Sequence, residues 1–85
     1  MSFHFSKHAL EELVRRQIPR RIVERVLESS EQKQHLLENI TCYQSRVNIG
    51  GKQYLMRVMV SDAVQPSVVV TVYRTSKIRK YWKEP

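Results

Sequence analysis

The 85 residues carry a formal net charge of +7 and a pI near 10.0, and 41% of them are hydrophobic. This length allows one domain, residues 1–85, and this hydrophobic fraction supports one modest core, which excludes a disordered chain. The positive charge favours a polyanionic partner, such as nucleic acid, an acidic protein or an anionic surface, and is also compatible with a soluble domain that simply has a basic surface.

The composition also excludes several kinds of site. Cys42 is the only cysteine, so no internal disulfide or cysteine-based metal cage can form, and we expect a reducing cytoplasm. No apolar run approaches the roughly 18 residues that span a bilayer, and the first residues carry no signal-peptide hydrophobic region, so no membrane association is expected. The histidines His4, His8 and His35 lack metal-site spacing and no nucleotide-binding motif occurs, so we expect neither a metal nor a cofactor.

Two helices are predicted near the N-terminus. Ser6 suits the N-cap of the first helix, in which Leu10, Leu13 and Val14 recur at helical spacing. Pro19 suits the first turn of the second helix. The apolar stripe of that helix consists of Ile22, Val23, Val26 and Leu27.

A β-hairpin is the clearest strand signal. Residues 42–49 and 52–60 alternate in polarity, and the loop between them is Gly50-Gly51. This loop places Val47 opposite Tyr54 on an apolar face, which we expect to meet the helices. The other face carries two arginines and three amides, with Gln44 opposite Arg57. It is interpreted either as a nucleic-acid surface or as a solvated outer face.

The remaining segments complete an α+β pattern. Residues 32–37 are ambiguous and compatible with a further strand, and residues 61–67 indicate a turn. The β-branched run at 68–72 predicts a central strand that is buried on both faces. Residues 76–83 are compatible with a short helix or a basic tail. The order of the elements predicts two N-terminal helices packed on a small antiparallel sheet.

The valine-rich strand leads into a basic and aromatic cluster. From Ser67 onward five cations stand against Glu84 alone, a net charge of +4. Cations suit phosphates, and flat rings suit nucleic-acid bases. The residues expected to contact nucleic acid are Arg46, Arg57, Lys77, Arg79 and Lys80.

Metal-independent RNA cleavage needs a base, an acid and a cation that stabilises the transition state. His8 lies in the first turn of a predicted helix, where the helix dipole disfavours the imidazolium form and keeps a base available. Arg57 and Arg74 are candidates for holding the phosphate, and Tyr73 for proton transfer or base stacking. The candidate catalytic residues are therefore His8, Tyr73 and Arg74, and each is also compatible with an ordinary packing or surface role.

Several short motifs, in their order and spacing, resemble a known family. They are Phe5-Ser6-Lys7-His8-Ala9-Leu10, Ile18-Pro19, Gly51-Lys52-Gln53-Tyr54, and Val69-Val70-Thr71-Val72-Tyr73-Arg74 followed by Lys77 and Tyr81. The chain resembles a small prokaryotic family of unknown function, domain number four-two-five-eight, which is similar to toxins of the RelE and ParE type.

This resemblance implies a RelE-like arrangement of two N-terminal helices on a small antiparallel sheet. It also implies an mRNA endonuclease, either ribosome-dependent or free, that an antitoxin protein neutralises. The matching positions are His8, Tyr73 and Arg74, with Lys77 adjacent.

Two alternatives to a toxin-type endonuclease remain open. A non-catalytic nucleic-acid-binding module would use the same basic surface, with steep salt dependence and no turnover. A protein-interaction domain would accept a partner strand at an exposed sheet edge. The sequence does not determine the oligomeric state.

Overall fold

The computed structural model describes residues 3–84 and has an α+β fold with five strands and three helices. The elements in chain order are β1 (Phe3–Phe5), α1 (Lys7–Arg15), α2 (Arg20–Glu28), β2 (Gln32–Leu37), β3 (Ile40–Ile49), β4 (Lys52–Ser61), β5 (Ser67–Thr75) and α3 (Ile78–Tyr81). In the part of the chain that the structure describes, no helix is long and apolar enough to cross a membrane.

The sheet is mixed, with the strand order β1-β5-β4-β3-β2. Strands β2 to β5 run antiparallel to their neighbours, whereas β1 pairs parallel with β5, with Phe3 opposite Ser67. The prediction of a wholly antiparallel sheet is therefore wrong at this edge, and both long helices follow a strand. β1 has only three residues, which is too short for a visible alternation, and its partner lies more than sixty residues along the chain.

The predicted hairpin is confirmed in its loop and in its register. Ile49 is opposite Lys52, and the pairing continues without a shift along β3 and β4. Gly50 and Gly51 have φ values of 62° and 82°, the left-handed conformation that a two-residue loop between twisted strands requires at both positions. The ambiguous segment 32–37 is β2, which pairs antiparallel with β3 at the edge of the sheet.

Helices α1 and α2 cover the predicted apolar face of the hairpin. The core includes Leu13, Val23 and Val26 from the helices and Tyr43, Met56, Val58 and Val72 from the sheet. Ser6 is the predicted N-cap of α1, since its Oγ accepts a hydrogen bond from the Ala9 amide at 3.0 Å. The same Oγ donates to the Val70 carbonyl at 3.1 Å, which ties the start of α1 to β5.

Two predictions about sheet faces are wrong. The second face of the hairpin is not open to solvent at its centre, because Gln44 is fully buried and Arg57 is 6% exposed beneath the C-terminal segment. β5 is not buried on both faces either, since Val69 and Val72 are buried whereas Val70 is 37% exposed. A bulge between the pairs Val60–Val69 and Met59–Thr71 turns Val70 out of the ladder.

Candidate functional site

A buried guanidinium lies at the centre of the second sheet face. Arg57 on β4 is directly opposite Gln44 on β3 and Tyr73 on β5. Its Nε donates to Gln44 Oε1 at 2.9 Å, its Nη1 to the Tyr73 hydroxyl at 2.6 Å, and its Nη2 to Gln34 Oε1 at 3.2 Å. Side chains from the three strands β2, β3 and β5 therefore fix the position and plane of this guanidinium.

An aromatic ring from the C-terminal segment, that of Tyr81, covers the guanidinium. The Arg57 Cζ lies 4.5 Å from the centroid of the Tyr81 ring, a distance at which the ring face attracts a cation. Tyr81 also meets Tyr73 edge to face, with 6.4 Å between ring centroids. Next to them, the Arg46 Cζ lies 4.3 Å from the Trp82 ring. Of the two alternatives for residues 76–83, the short helix is the one that forms, and its segment is held by stacking on two arginines.

Amide side chains fasten this segment to the edge strand. Gln44 Nε2 donates to Gln32 Oε1 at 2.8 Å and to the Tyr81 carbonyl at 3.2 Å. Gln32 Nε2 donates to the Lys83 carbonyl at 2.6 Å, and Gln32 Oε1 accepts from the Lys83 amide at 3.1 Å. The chain end is therefore connected to Arg57 through two glutamines.

The charge of Arg57 has no carboxylate partner within 4 Å among residues 3–84, because the ion pairs there involve other cations. Buried charges in proteins are usually paired, since the desolvation of an isolated charge is unfavourable. Here amide and hydroxyl oxygens and ring faces replace water. Burial raises the pKa of the nearby Cys42 thiol, an effect that Arg57 only partly opposes. Cys42 is consequently a neutral thiol and not a thiolate nucleophile at neutral pH.

Four cations between the end of β5 and α3 have no carboxylate partner within residues 3–84. Lys77, Arg79 and Lys80 are exposed, and Arg74 is half-buried at the end of β5. None of the four forms an ion pair in the described part of the chain, where the pairs involve His8, Arg15, Arg16, Arg20 and Arg46. Their charges are therefore available to an external anion.

The structure brings His8 to β5. Its Nε2 lies 3.3 Å from Thr71 Oγ1 and 3.6 Å from Glu12 Oε1. Both contacts involve the same ring nitrogen, so they do not form a relay in which a carboxylate holds one nitrogen while the other meets a hydroxyl. Thr71 and Tyr73 lie two residues apart in a regular part of β5 and share a face. His8 therefore approaches β5, the strand that carries the other two candidate catalytic residues, Tyr73 and Arg74.

Arg74 and Tyr73 lie on opposite faces of the sheet. Adjacent strand residues face opposite sides of a sheet, and Arg74 pairs with Met56 on the helix side, where its Cζ lies 4.7 Å from the Tyr54 ring. The guanidinium that contacts Tyr73 is instead that of Arg57.

Arg46 is already engaged by a carboxylate. Its Nη2 and Nε donate to the two Glu31 oxygens at 2.8 Å and 3.2 Å. These bonds hold the pKa of Glu31 below its usual value and raise the pKa of Arg46. Of the residues expected to contact nucleic acid, Lys77, Arg79 and Lys80 are exposed and not ion-paired within residues 3–84. Arg46 is neutralised, and Arg57 is buried.

Sequence reasoning assigned no role to Gln32 and Gln34, and it gave Tyr81 no role beyond covering the sheet edge. The two glutamines lie two apart on β2 and face the same side, toward Gln44 and Arg57. The one available signal was this spacing in a segment whose strand character was ambiguous. Tyr81 could not be placed, because its contact with Arg57 depends on how residues 76–83 fold back.

Comparison with known proteins identifies a family. The family model described as Domain of unknown function (DUF4258) matches residues 5–74, so the chain belongs to this family. The match runs from the last residue of β1 nearly to the end of β5 and includes Arg57 and Tyr73, whereas α3 lies beyond it. No curated protein and no solved structure matches the chain.

Proposed function

For this member of the family, we propose that the protein binds RNA through the cationic end of its sheet, with Arg74, Lys77, Arg79 and Lys80 contacting phosphates. The observation that carries the proposal is that these four cations fall within residues 74–80 and that none of them has a carboxylate partner within residues 3–84. Phosphodiester backbones neutralise such clusters and release counterions, and this release drives binding. The neighbouring tyrosine and tryptophan rings offer stacking surfaces for unpaired bases.

The salt dependence of RNA binding tests this proposal. Binding of a labelled single-stranded RNA should weaken linearly on a plot of log affinity against log salt. Four phosphate contacts correspond to a slope of roughly −3 for a single strand. Replacing Lys77 and Lys80 by alanine should reduce the slope by about 1.4. The matched control replaces Lys7 and Arg25, which are exposed on the helices, and removes the same charge. Equal effects of the two double variants would contradict a localised RNA surface.

The second candidate function is metal-independent RNA cleavage of the toxin type, which the resemblance to RelE and ParE toxins implies. The hydrogen bond from Arg57 to the Tyr73 hydroxyl favours it. An arginine beside a positioned phenol supplies a cation for the phosphorane-like transition state and a proton donor for the leaving oxygen. In this function an acidic antitoxin would bind the protein, and the site of action would be the cytoplasm, where mRNA and ribosomes occur.

The reaction assigns one role to each residue. The ribose 2′-hydroxyl transfers its proton to the His8 imidazole, and its oxygen bonds to phosphorus. The bond from phosphorus to the 5′-oxygen then breaks, and that oxygen takes the proton of Tyr73. The products are a 2′,3′-cyclic phosphate and a 5′-hydroxyl end. Arg74 lies across the sheet from Tyr73, so its contribution here is to RNA binding.

A cleavage assay separates the two functions. Labelled mRNA is incubated with the protein in EDTA, with and without ribosomes, beside the His8→Ala, Tyr73→Phe and Arg74→Ala variants. Cleavage that Tyr73→Phe loses, while RNA binding is retained, would support the endonuclease. RNA retention without cleavage in either condition would leave the binding function alone. A wild-type rate that is unchanged in Tyr73→Phe and His8→Ala would contradict their assigned roles.

A further inference from the structure

We propose that Arg57 is an internal phosphate site, that residues 78–84 close it, and that an RNA phosphodiester occupies it once this segment moves away. We call residues 78–84 the cover. This inference rests on the proposed RNA binding and adds to it a second, initially hidden anion site.

The guanidinium of Arg57 retains the capacity to bind an anion. Its three hydrogen bonds use three of its five N–H donors, and all go to neutral oxygens. Within residues 3–84 no carboxylate lies within 4 Å of it. A phosphate oxygen would supply the negative charge that these residues do not, and the planar fork of arginine matches phosphate geometry.

The Tyr73 hydroxyl adds a second donor at the same place. Because this hydroxyl accepts the hydrogen bond from Arg57 Nη1 at 2.6 Å, its own proton remains to be donated. It has no acceptor among the residues that the structure describes. A phosphate at Arg57 would therefore receive one hydrogen bond from a guanidinium and one from a phenol.

The cover is held by polar and stacking contacts and not by the hydrophobic core. Helix α3 has four residues, none of them buried, and a single helical turn has little stability of its own. Its attachments are the Tyr81 ring on Arg57, the Trp82 ring on Arg46, and the hydrogen bonds of Gln32 and Gln44. Local opening of such a segment requires far less free energy than global unfolding.

The charge of the cover favours its replacement by RNA at Arg57. It carries Arg79, Lys80 and Lys83 against Glu84, so an RNA strand that reaches Arg57 would also attract the displaced segment. The cover would then lie against the bound strand, with phosphates between its cations and Arg57.

Trp82 provides a direct readout, since it is the only tryptophan in the chain. Its emission is recorded while a 12-nucleotide single-stranded RNA is added to the full-length protein. We expect the emission to shift to the red as the indole leaves Arg46, and we expect Arg57→Gln to lose this shift. Gln32→Ala removes the hydrogen bonds to Lys83, and it should raise RNA affinity by about three- to tenfold. The matched control is Gln65→Ala, an exposed amide in the turn between β4 and β5.

Each outcome decides the inference. An RNA-dependent shift that Arg57→Gln loses, together with a gain in affinity in Gln32→Ala alone, supports a covered phosphate site. Because Arg57→Gln can disturb folding, circular dichroism checks it, and Tyr73→Phe provides a milder variant that should halve the shift or more. RNA binding with unchanged Trp82 emission, or a shift that persists in Arg57→Gln, overturns the site but not the RNA-binding proposal. Absence of RNA binding by the wild type overturns both.

Discussion

Replacing Gln44 by leucine tests whether the polar network beneath the cover stabilises the fold. The substitution keeps the side-chain size and removes the amide, so Arg57 Nε loses its acceptor at 2.9 Å and the Tyr81 carbonyl loses its donor at 3.2 Å. A hydrogen bond to a charged group contributes about 1.5–3 kcal/mol, and a neutral one about 0.5–1.5 kcal/mol. Two effects reduce the sum of these contributions: water can replace the lost donor at the half-buried Tyr81, and burial of the leucine side chain is itself favourable. The expected net decrease in unfolding free energy is therefore about 2–4 kcal/mol.

Thermal and urea unfolding followed by circular dichroism measure this loss. Unfolding entropy near 2.1 cal/mol/K per residue over 85 residues converts the loss into a decrease in Tm of roughly 10–20 °C. The matched control is Gln53→Leu, an exposed position in the adjoining strand, which should change the unfolding free energy by no more than about 0.5 kcal/mol.

A double variant identifies the cause. If the loss arises because Arg57 is left without its acceptor, then Gln44→Leu combined with Arg57→Leu should be less destabilised than the two single effects added together, because both polar partners are gone. Additive effects of the two substitutions, or a Gln44→Leu protein as stable as Gln53→Leu, would refute the reasoning that the network is a coupled unit.

Three further predictions concern stability. Ser6→Ala should lower the unfolding free energy by about 1–2 kcal/mol in urea denaturation, because the Ala9 amide loses its cap; no change would mean that water replaces the hydroxyl. Gly51→Val should destabilise the hairpin by about 1–2 kcal/mol or more, since φ is 82° there, and an unchanged Tm would contradict this strain. Glu31→Gln should cost no more than about 1 kcal/mol at neutral pH, because water screens so exposed a pair. Arg46 lowers the pKa of Glu31 in the folded state from 4.5. The difference in unfolding free energy between the wild type and Glu31→Gln should therefore be complete above pH 4.5 and should shrink as the pH falls through the pKa of the folded state. A difference that grows on acidification would refute the stabilising role of the ion pair.

The hairpin and the helices could be predicted because their signals are local. Gly50-Gly51 between two alternating segments fixes both the loop and the register, since the side-chain period of two allows no intermediate pairing. Ser6 before an apolar helical stripe similarly specifies the start of α1. In both cases residues within a few positions of each other carry the whole argument.

The candidate site was only partly predictable. Its residues were identified by chemistry, with Arg57 and Arg74 both expected to hold phosphate, but which of the two guanidinium groups contacts Tyr73 was not predicted. Strand geometry sends neighbouring residues to opposite faces, and the pairing of β4 with β5 then determines which guanidinium meets the phenol. The turn at residues 61–67 was predicted, but the pairing also depends on the bulge at Val70, which has no distinctive sequence pattern.

The sequence by itself determined the helix start, the hairpin register, the apolar face that meets the helices, and the concentration of positive charge at the chain end. Only the tertiary structure decided that β1 pairs with β5, that the chain end folds over Arg57, and that Lys77, Arg79 and Lys80 stay accessible while Arg57 does not. The physical reason is the separation along the chain over which each kind of signal acts. Periodicity and turn chemistry act over a few residues, whereas the contact from Gln32 to Lys83 joins positions 51 residues apart and forms only once the sheet between them exists.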